Sequence, residues 1–121
     1  MEKWLKWQKG RLETGYEKML LLACRFILPF DFYLLRYKPG AWIPPHTDKI
    51  SDKRHYRLNF VIKKAKKGGI FICENPIFET KRIKFFRPDL SVHSLTRINE
   101  GTRYVLSIGV ALKNKHIKQK P

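Results

Sequence analysis

Two polar residues that follow a pair of prolines, His46 and Asp48 in WIPPHTDK, have the types and spacing for metal chemistry. On a β-strand, residues two apart point to the same face, so an imidazole nitrogen and a carboxylate oxygen could bind one ion. Pro44 and Pro45 favour an extended backbone before the motif. The alternative is a solvated pair in a turn, because a His-x-Asp pattern also occurs by chance. A metal site therefore requires a third ligand from elsewhere in the chain.

Two other histidines precede the C-terminal tail, and their surroundings differ. His93 lies in LSVHSL among strand-forming apolar residues, whereas His55 lies in DKRHYR among charges and is interpreted as a surface residue. Two histidines and one carboxylate form the facial triad of non-haem Fe(II) oxygenases. His46, Asp48 and His93 are therefore the predicted metal ligands. For His93, a hydrogen-bonded core or rim histidine is the alternative.

Arg103 and Ser107 indicate an anion site that would accompany such a triad. Arg103 begins an otherwise apolar segment, RYVLSIGV, in which alternation places it on one face with Ser107. A buried arginine is costly unless it contacts an anion. A guanidinium with a hydroxyl beside it can bind a carboxylate through paired hydrogen bonds. The triad and this arginine together favour a site for a keto-acid co-substrate.

The segments that carry these residues resemble the 2-oxoglutarate- and Fe(II)-dependent dioxygenase superfamily, above all its prolyl-hydroxylase-like branch. The resemblance covers roughly residues 33–112 and rests on YKPGAWIPPHTD, RLNFVIKKAKKGGIFICE and IKFFRPDLSVHSLTRINEGTRYVLSIGV in that order. It implies that His46, Asp48 and His93 bind Fe(II), that 2-oxoglutarate and O2 are co-substrates, and that ascorbate serves as a reductant. It also implies hydroxylation of a C–H bond with decarboxylation of 2-oxoglutarate to succinate.

The resemblance further implies which residues surround the co-substrate. Arg103 matches the basic residue that pairs with the distal carboxylate of 2-oxoglutarate, and Ser107 lies on the same strand face. Tyr37, in YKPG, matches a tyrosine that hydrogen-bonds the co-substrate, with packing at a strand end as the alternative. Arg57 and Asn59 share one face of the next strand and are predicted to reach the pocket.

The elements that must position these residues are predicted from the hydrophobic pattern. Apolar residues at helical spacing between Arg11 and Arg25, closed by Pro29, predict a helix, and MEKWLKWQKG predicts a shorter one. From Asp31 onward, short segments of strand formers alternate with turn signals and predict an antiparallel sandwich or barrel. The resemblance makes this core a double-stranded β-helix of the jelly-roll or cupin-like type. The expected chain is one α+β domain, with a helical segment at 1–28, the core at 31–112 and a basic tail at 113–121.

The charge balance leaves more than one kind of partner open. The 121 residues include 26 Lys and Arg against 10 Asp and Glu, and the formal net charge is +16. Such a charge favours anionic partners, and basic clusters lie at 63–67 and 81–87. The expected substrate is a protein or peptide side chain. The alternatives are oxidation or dealkylation of a nucleic-acid base, a non-catalytic basic nucleic-acid-binding module, and a cupin-like metal enzyme that does not use 2-oxoglutarate.

Cysteine usage and hydropathy favour a reducing, cytoplasmic compartment. Cys24 and Cys73 have apolar neighbours and no zinc-site spacing, so both are predicted to be buried, reduced thiols. The apolar run Met19–Phe30 is interrupted by Arg25 and is too short to span a bilayer.

The chain is close to the minimum length for the resemblance, which leaves little room for a substrate lid. The loop 49–56 and the N-terminal segment are the candidates. Trp4 and Trp7 in that segment offer a surface for self-association.

Overall fold

The computed structural model describes residues 5–10, 14–24, 30–49 and 52–113, and in these ranges every regular element is a β-strand. The strands are, in chain order, β1 (Trp7–Lys9), β2 (Tyr16–Cys24), β3 (Phe30–Tyr37), β4 (Ile43–His46), β5 (Lys53–Lys63), β6 (Lys67–Gly68), β7 (Phe71–Cys73), β8 (Phe78–Glu79), β9 (Ile83–Phe86), β10 (His93–Leu95), β11 (Ile98–Glu100) and β12 (Arg103–Lys113).

The strands form a large and a small sheet that share one core. The large sheet has seven strands in the order β1-β2-β3-β12-β5-β9-β8, and the small sheet has the order β4-β10-β7. A further pair, β11-β6, lies beside them, and all pairings are antiparallel. Val61 and Val105 of the large sheet join Ile43 and Leu95 of the small sheet in a single buried cluster. The expected sandwich of antiparallel sheets is therefore confirmed.

Strand alternation brings the polar residues of the large sheet onto its inner face. Along β12, Arg103, Val105 and Ser107 are buried, while the residues between them are more exposed. Ser107 lies opposite Asn59 on β5 and opposite Tyr33 on β3. Side chains opposite one another in register share a face of the sheet. The inner face thus carries a polar row above the apolar core.

The predicted N-terminal helices are wrong for the described part of the chain. Trp7–Lys9 is a strand, and Tyr16–Cys24 is a strand that pairs with β3. Periodicity misled the prediction because a continuous apolar run such as 19–23 fits a buried helix and a strand equally well. The pairing satisfies backbone groups along β3 and stacks the rings of Tyr16 and Tyr37, with centroids 5.4 Å apart. Other parts of the predicted helical segment and tail lie outside the described residues, namely 1–4, 11–13, 25–29 and 114–121.

Strand β4 explains how two prolines can precede the candidate metal ligand. It is an edge strand of the small sheet and, among the described strands, pairs with β10 alone. An edge strand tolerates proline because a backbone N–H that faces away from the sheet needs no partner strand. Pro44 and Pro45 lie inside this strand, and their fixed φ angles keep the segment extended up to His46, as the sequence predicts.

No helix in the described ranges is long and apolar enough to cross a bilayer.

Cys73 is free but only half-buried, so the prediction of a buried thiol holds in part. Burial, and to a smaller extent Glu79 and Glu74, raise the pKa of the Cys73 thiol to about 11, which keeps it protonated at neutral pH. The side chain of Cys24 lies outside the described part.

Candidate metal centre and co-substrate pocket

The three predicted metal ligands converge at one end of the small sheet. His46 ends β4 and lies directly opposite His93, the first residue of β10. Nε2 of His46 is 3.4 Å from Oδ1 of Asp48, and Nε2 of His93 is 3.4 Å from Oδ2 of the same carboxylate. One ligand atom from each residue lies within 4.8 Å of the other two. The fold therefore brings together two imidazoles and a carboxylate that the sequence separates.

Both imidazole rings are held in the orientation that metal ligation needs. Nδ1 of His46 donates to the carbonyl oxygen of Pro44 at 2.8 Å, and Nδ1 of His93 donates to that of Ser91 at 2.9 Å. With the proton on Nδ1, each Nε2 carries the free lone pair and faces Asp48. The sequence alone does not identify these carbonyls as the acceptors for the two rings.

Neighbouring residues hold the backbone of Asp48 and the ring of His93 in place. The backbone N–H of Asp48 donates to the carbonyl of Pro88 at 2.6 Å, which holds the loop after β4 in place. The ring of Phe86 packs against His93 with centroids 5.0 Å apart, and Phe71 lies on the same ring at 6.3 Å. Apolar rings around a metal site limit access of water and lower the local dielectric.

A cavity of about 330 Å³ lies between the triad and the inner face of the large sheet. His46, Asp48 and His93 all line it. Four of the five predicted co-substrate residues line it too, namely Tyr37, Arg57, Asn59 and Ser107. A cavity of this size accommodates a small dicarboxylate with part of a substrate.

Arg57 lies on the same inner face, next to the polar row, and its guanidinium is the charged group that bonds to that row. Its Nη1 donates to Oγ of Ser107 at 2.6 Å, and its Nη2 donates to Oδ1 of Asp31 at 2.7 Å. A side chain at Gly109 would collide with this guanidinium, so the glycine makes room for it. Asp31 and Gly109 are contributors that the sequence prediction missed. Their register opposite each other on β3 and β12 is the signal, and it becomes visible only once the strand pairing is known.

Arg103 is a buried cation without an anionic partner among the described residues. Only 6% of its surface is exposed, its Nη1 donates weakly to the carbonyl of Gly69 at 3.4 Å, and its Nε has no partner there. Burial lowers the pKa of the guanidinium from its usual value. Arg103 does not itself line the cavity, but its guanidinium lies 5.9 Å from the ring centroid of Tyr37, which does. A buried cation without an anionic partner is energetically unfavourable, so this position favours the binding of an anion.

The interpretation of His55 as a surface residue is wrong. It is only 9% exposed and lines the cavity, because it shares the inner face of β5 with Arg57 and Asn59. Burial, followed by the positive charge of Arg57, lowers the pKa of His55. Period-two alternation from Asn59 would have placed it inside, but the flanking charges outweighed that signal. Its Nδ1 and Oδ1 of Asn59 are buried without a hydrogen-bond partner among the described residues.

Solved structures that share this fold include proteins of different kinds. A viral collagen prolyl hydroxylase from Paramecium Bursaria Chlorella virus-1, in a 2OG complex, has a TM-score of 0.58 and 18% identity over 87% of this chain and 83% of that one. A cupin-2 domain from Rhodospirillum rubrum has a TM-score of 0.55 and 12% identity over 91% of this chain and 70% of that one. In the complex of Rhodobacter sphaeroides SigE with the anti-sigma ChrR, the TM-score is 0.52 and the identity 18% over 87% of this chain. This protein spans only 48% of that matched chain.

No protein-family model matches the sequence, and no curated protein matches it. At these identities the structural likenesses show a cupin-like jelly-roll fold. Because one fold hosts many activities, the function has to rest on the chemistry of the site.

Proposed function

We propose that this protein is an Fe(II)- and 2-oxoglutarate-dependent dioxygenase that hydroxylates a C–H bond in a protein or peptide side chain. The observation that carries the proposal is the cluster of His46, Asp48 and His93 in a cavity shared with polar side chains of the large sheet. Two imidazoles and one carboxylate are the donors of a facial triad, which leaves metal positions open for other ligands.

The residues fit both absent groups. The donor set suits Fe(II), and the buried, unpaired guanidinium of Arg103 suits the distal carboxylate of a keto-acid. When bound, Fe(II) and 2-oxoglutarate supply the oxidative decarboxylation to succinate and CO2 that activates O2 for C–H hydroxylation. His46 and His93 would hold the metal through Nε2, because their Nδ1 protons are engaged by backbone carbonyls.

The inner face of the large sheet would hold and orient the co-substrate. Ser107 accepts a hydrogen bond from Arg57, so its own hydroxyl proton is available to a carboxylate oxygen. Burial raises the pKa of Tyr37, so its phenol stays protonated as a donor. Arg57 already carries Asp31 as its counter-charge, whereas Arg103 has none in the described residues. Arg103 is therefore the favoured partner of the distal carboxylate, with Tyr37 beside it, and Ser107 would bind from the neighbouring Arg57.

A protein side chain is the favoured substrate because a peptide chain can present one residue to a cavity of this size. The viral collagen prolyl hydroxylase with the same fold supports this choice. The second candidate is oxidation or dealkylation of a nucleic-acid base, and the net charge of +16 favours it.

The test is turnover of 2-oxoglutarate with Fe(II) and ascorbate, followed as succinate, with proline-containing peptides or oligonucleotides added in turn. We expect His46→Ala to abolish both Mn(II) binding and succinate release, and His116→Ala in the basic tail to change neither. Stimulation by a peptide supports the first substrate class, and stimulation by an oligonucleotide supports the second.

Two outcomes would oppose the proposal. A wild-type protein that takes up neither Fe(II) nor Mn(II) is not a metal-dependent oxygenase, and a non-catalytic basic module would then be the better description. Metal uptake without succinate release under any substrate would favour a cupin-like enzyme of another reaction class.

A further inference from the structure

The outward face of the large sheet carries two unbroken rows of apolar side chains, each of which crosses six of its seven strands. One row follows the register from β2 to β8 through Leu22, Phe32, Ile108, Leu58, Phe85 and Phe78. The next row follows it from β1 to β9 through Trp7, Met19, Leu34, Leu106, Phe60 and Ile83. We call these twelve side chains the outer apolar face. No charged residue interrupts either row.

Five of these twelve side chains are exposed, and the other seven are partly buried. Leu22 is 45% exposed, Phe60 41%, Ile108 38% and Leu58 36%, although they lie in the interior of a seven-stranded sheet rather than at its rim. An antiparallel sheet with one solvated face normally alternates apolar and polar residues. Here the inner face carries the polar pocket and the outer face is apolar, so the outer face requires a cover.

Outside the described residues, the sequence holds no long apolar segment that could supply this cover. Outside the described residues, the longest apolar run is Phe26-Ile27-Leu28. Three residues cannot cover two rows that cross six strands. The cover therefore comes from another chain or from further sequence.

The size of the outer apolar face suits a symmetric pair of copies. With strands about 4.8 Å apart and same-face residues about 7 Å apart, two rows occupy roughly 400 Å² and the flanking rows extend this to about 800 Å². Stable interfaces bury about 800 Å² on each partner. The large sheets of the two copies would pack face to face across a two-fold axis, which gives an assembly of four sheets. Each pocket would lie between the large and the small sheet of its own copy, on the side away from the interface.

The distribution of charge favours a second copy over an acidic partner. The net charge is +16, so two copies repel each other unless they meet through an uncharged surface. Near the outer apolar face, Arg36 is already neutralised by Glu17 at 2.7 Å and stacks on Trp7 at 3.8 Å. The exposed lysines of 63–67 begin at Lys63, which lies opposite Tyr104 in the next row, so an acidic partner would gain charge contacts at one border of the face and none within its two rows. We propose that the outer apolar face is the two-fold interface of a homodimer, a proposal that does not depend on the catalytic one.

The experiment is sedimentation velocity of the full chain over a range of micromolar concentrations, with reductant present to exclude disulfides. We expect a dimer for the wild type and, for Ile108→Glu, a dissociation constant raised by at least about tenfold. The matched control is Ile72→Glu on β7 of the small sheet, where the isoleucine is 52% exposed, and it should remain dimeric.

Several results would overturn the homodimer. A monomeric wild type at all concentrations does so, and so does an open-ended series of aggregates, because a two-fold interface closes at two copies. Equal dissociation of Ile72→Glu and Ile108→Glu would show that the face has no special role. If Ile108→Glu unfolds by circular dichroism, the milder Phe60→Ser replaces it, with the same expected loss of the dimer.

Discussion

Arg103 combines deep burial with a positive charge that no anion neutralises among the described residues. Its guanidinium is buried, its strongest described contact is a 3.4 Å hydrogen bond to the carbonyl of Gly69, and burial lowers its pKa. A charge in this state destabilises the folded protein unless an anion neutralises it. The residue is thus better explained by binding of a carboxylate than by stability of the free protein.

Replacing Arg103 should therefore have opposite effects on the stability of the free protein and on the binding of 2-oxoglutarate. Arg103→Met should either leave the free energy of unfolding of the ligand-free protein unchanged or raise it by about 1–3 kcal/mol. The reason is that the substitution removes a buried charge that has no anionic partner among the described residues. It should also abolish the rise in melting temperature that 2-oxoglutarate causes in the wild type with Mn(II). Thermal melting with and without 2-oxoglutarate measures both effects.

The matched control is Arg97→Met, since Arg97 is exposed and donates to the carbonyl of Gly40. That variant should retain the response to 2-oxoglutarate. A full response in Arg103→Met would instead move the carboxylate-binding role to Arg57.

His55 gives a second prediction, on the pH dependence of stability. Its pKa is lowered in the folded protein from an ordinary value of 6.5, first by burial and then by Arg57. Between the two pKa values the unfolded chain binds more protons than the folded one, so stability rises with pH in that window. The free energy of unfolding should therefore fall as pH decreases below about 6.5, and this loss should end below the folded pKa.

Urea denaturation across this pH range tests the assignment. His55→Gln, which cannot take up a proton, should flatten the acid side of the stability profile, whereas His116→Gln should not. A profile in His55→Gln as steep as that of the wild type would assign the effect to other groups.

Most residues of the candidate site could be predicted from the sequence, because few combinations of residue types at this spacing are suited to bind a metal and a carboxylate. His46, Asp48, His93, Arg103 and Ser107 are marked by spacing and by the family resemblance. The structure brings the first three together, and binding of metal and 2-oxoglutarate stays a prediction. His55, Asp31 and Gly109 escaped because their roles arise from strand register, which one sequence does not reveal.

At the scale of elements, the pairing of β4 with β10 positions the triad. Both strands are short, and β4 contains two prolines that cannot donate backbone hydrogen bonds. Few backbone bonds therefore hold His46 opposite His93. A metal bound by both histidines would reinforce this pair of strands more than any other.

The corresponding prediction concerns hydrogen exchange. Saturating Mn(II) should slow amide exchange in segments 43–48 and 91–95, and should leave the exposed strand β8 unchanged. At a ligand concentration 100 times Kd, the stabilisation should be about 2.7 kcal/mol. Asp48→Asn should lose both effects, and uniform slowing across all strands would mean that the metal acts on global stability alone.

The two kinds of secondary structure differed in how well the sequence predicted them. From Asp31 onward the turn residues and β-branched or aromatic segments indicated strands, and the strands are there. In the N-terminal part, the leucine-rich run of β2 carried no turn signals inside it, and only pairing with β3 decides its conformation. Local sequence predicted the elements wherever local signals were strong, and long-range pairing decided the rest.

At the scale of the whole molecule, excess positive charge lies on exposed surface away from the triad. Lys63 and Lys64 at the end of β5 are exposed, whereas Lys66 and Lys67 pair with Glu100. If this charge binds nucleic acid only non-specifically, the logarithm of the binding constant should fall linearly with the logarithm of the salt concentration.

We therefore predict that a random duplex oligonucleotide binds at low salt and loses affinity steeply as salt increases, without stimulating succinate release. Lys63→Gln combined with Lys64→Gln should reduce the salt slope by about 1–2. Fluorescence anisotropy at several salt concentrations measures this slope, with Lys113→Gln as the control. Salt-independent binding, or stimulated turnover, would indicate a specific nucleic-acid substrate.

The register that places His46 opposite His93 also has a consequence for how the molecule is made. These two residues lie more than a third of the chain apart, so the predicted metal ligands meet only after long-range strand pairing is complete. Such pairings form slowly because loop-closure entropy opposes them until native contacts accumulate. An emerging chain on the ribosome has no assembled triad until β10 has been synthesised and has paired. Uptake of metal would thus be a late event in biogenesis, and a nascent or truncated chain would not acquire redox-active iron before its core has formed.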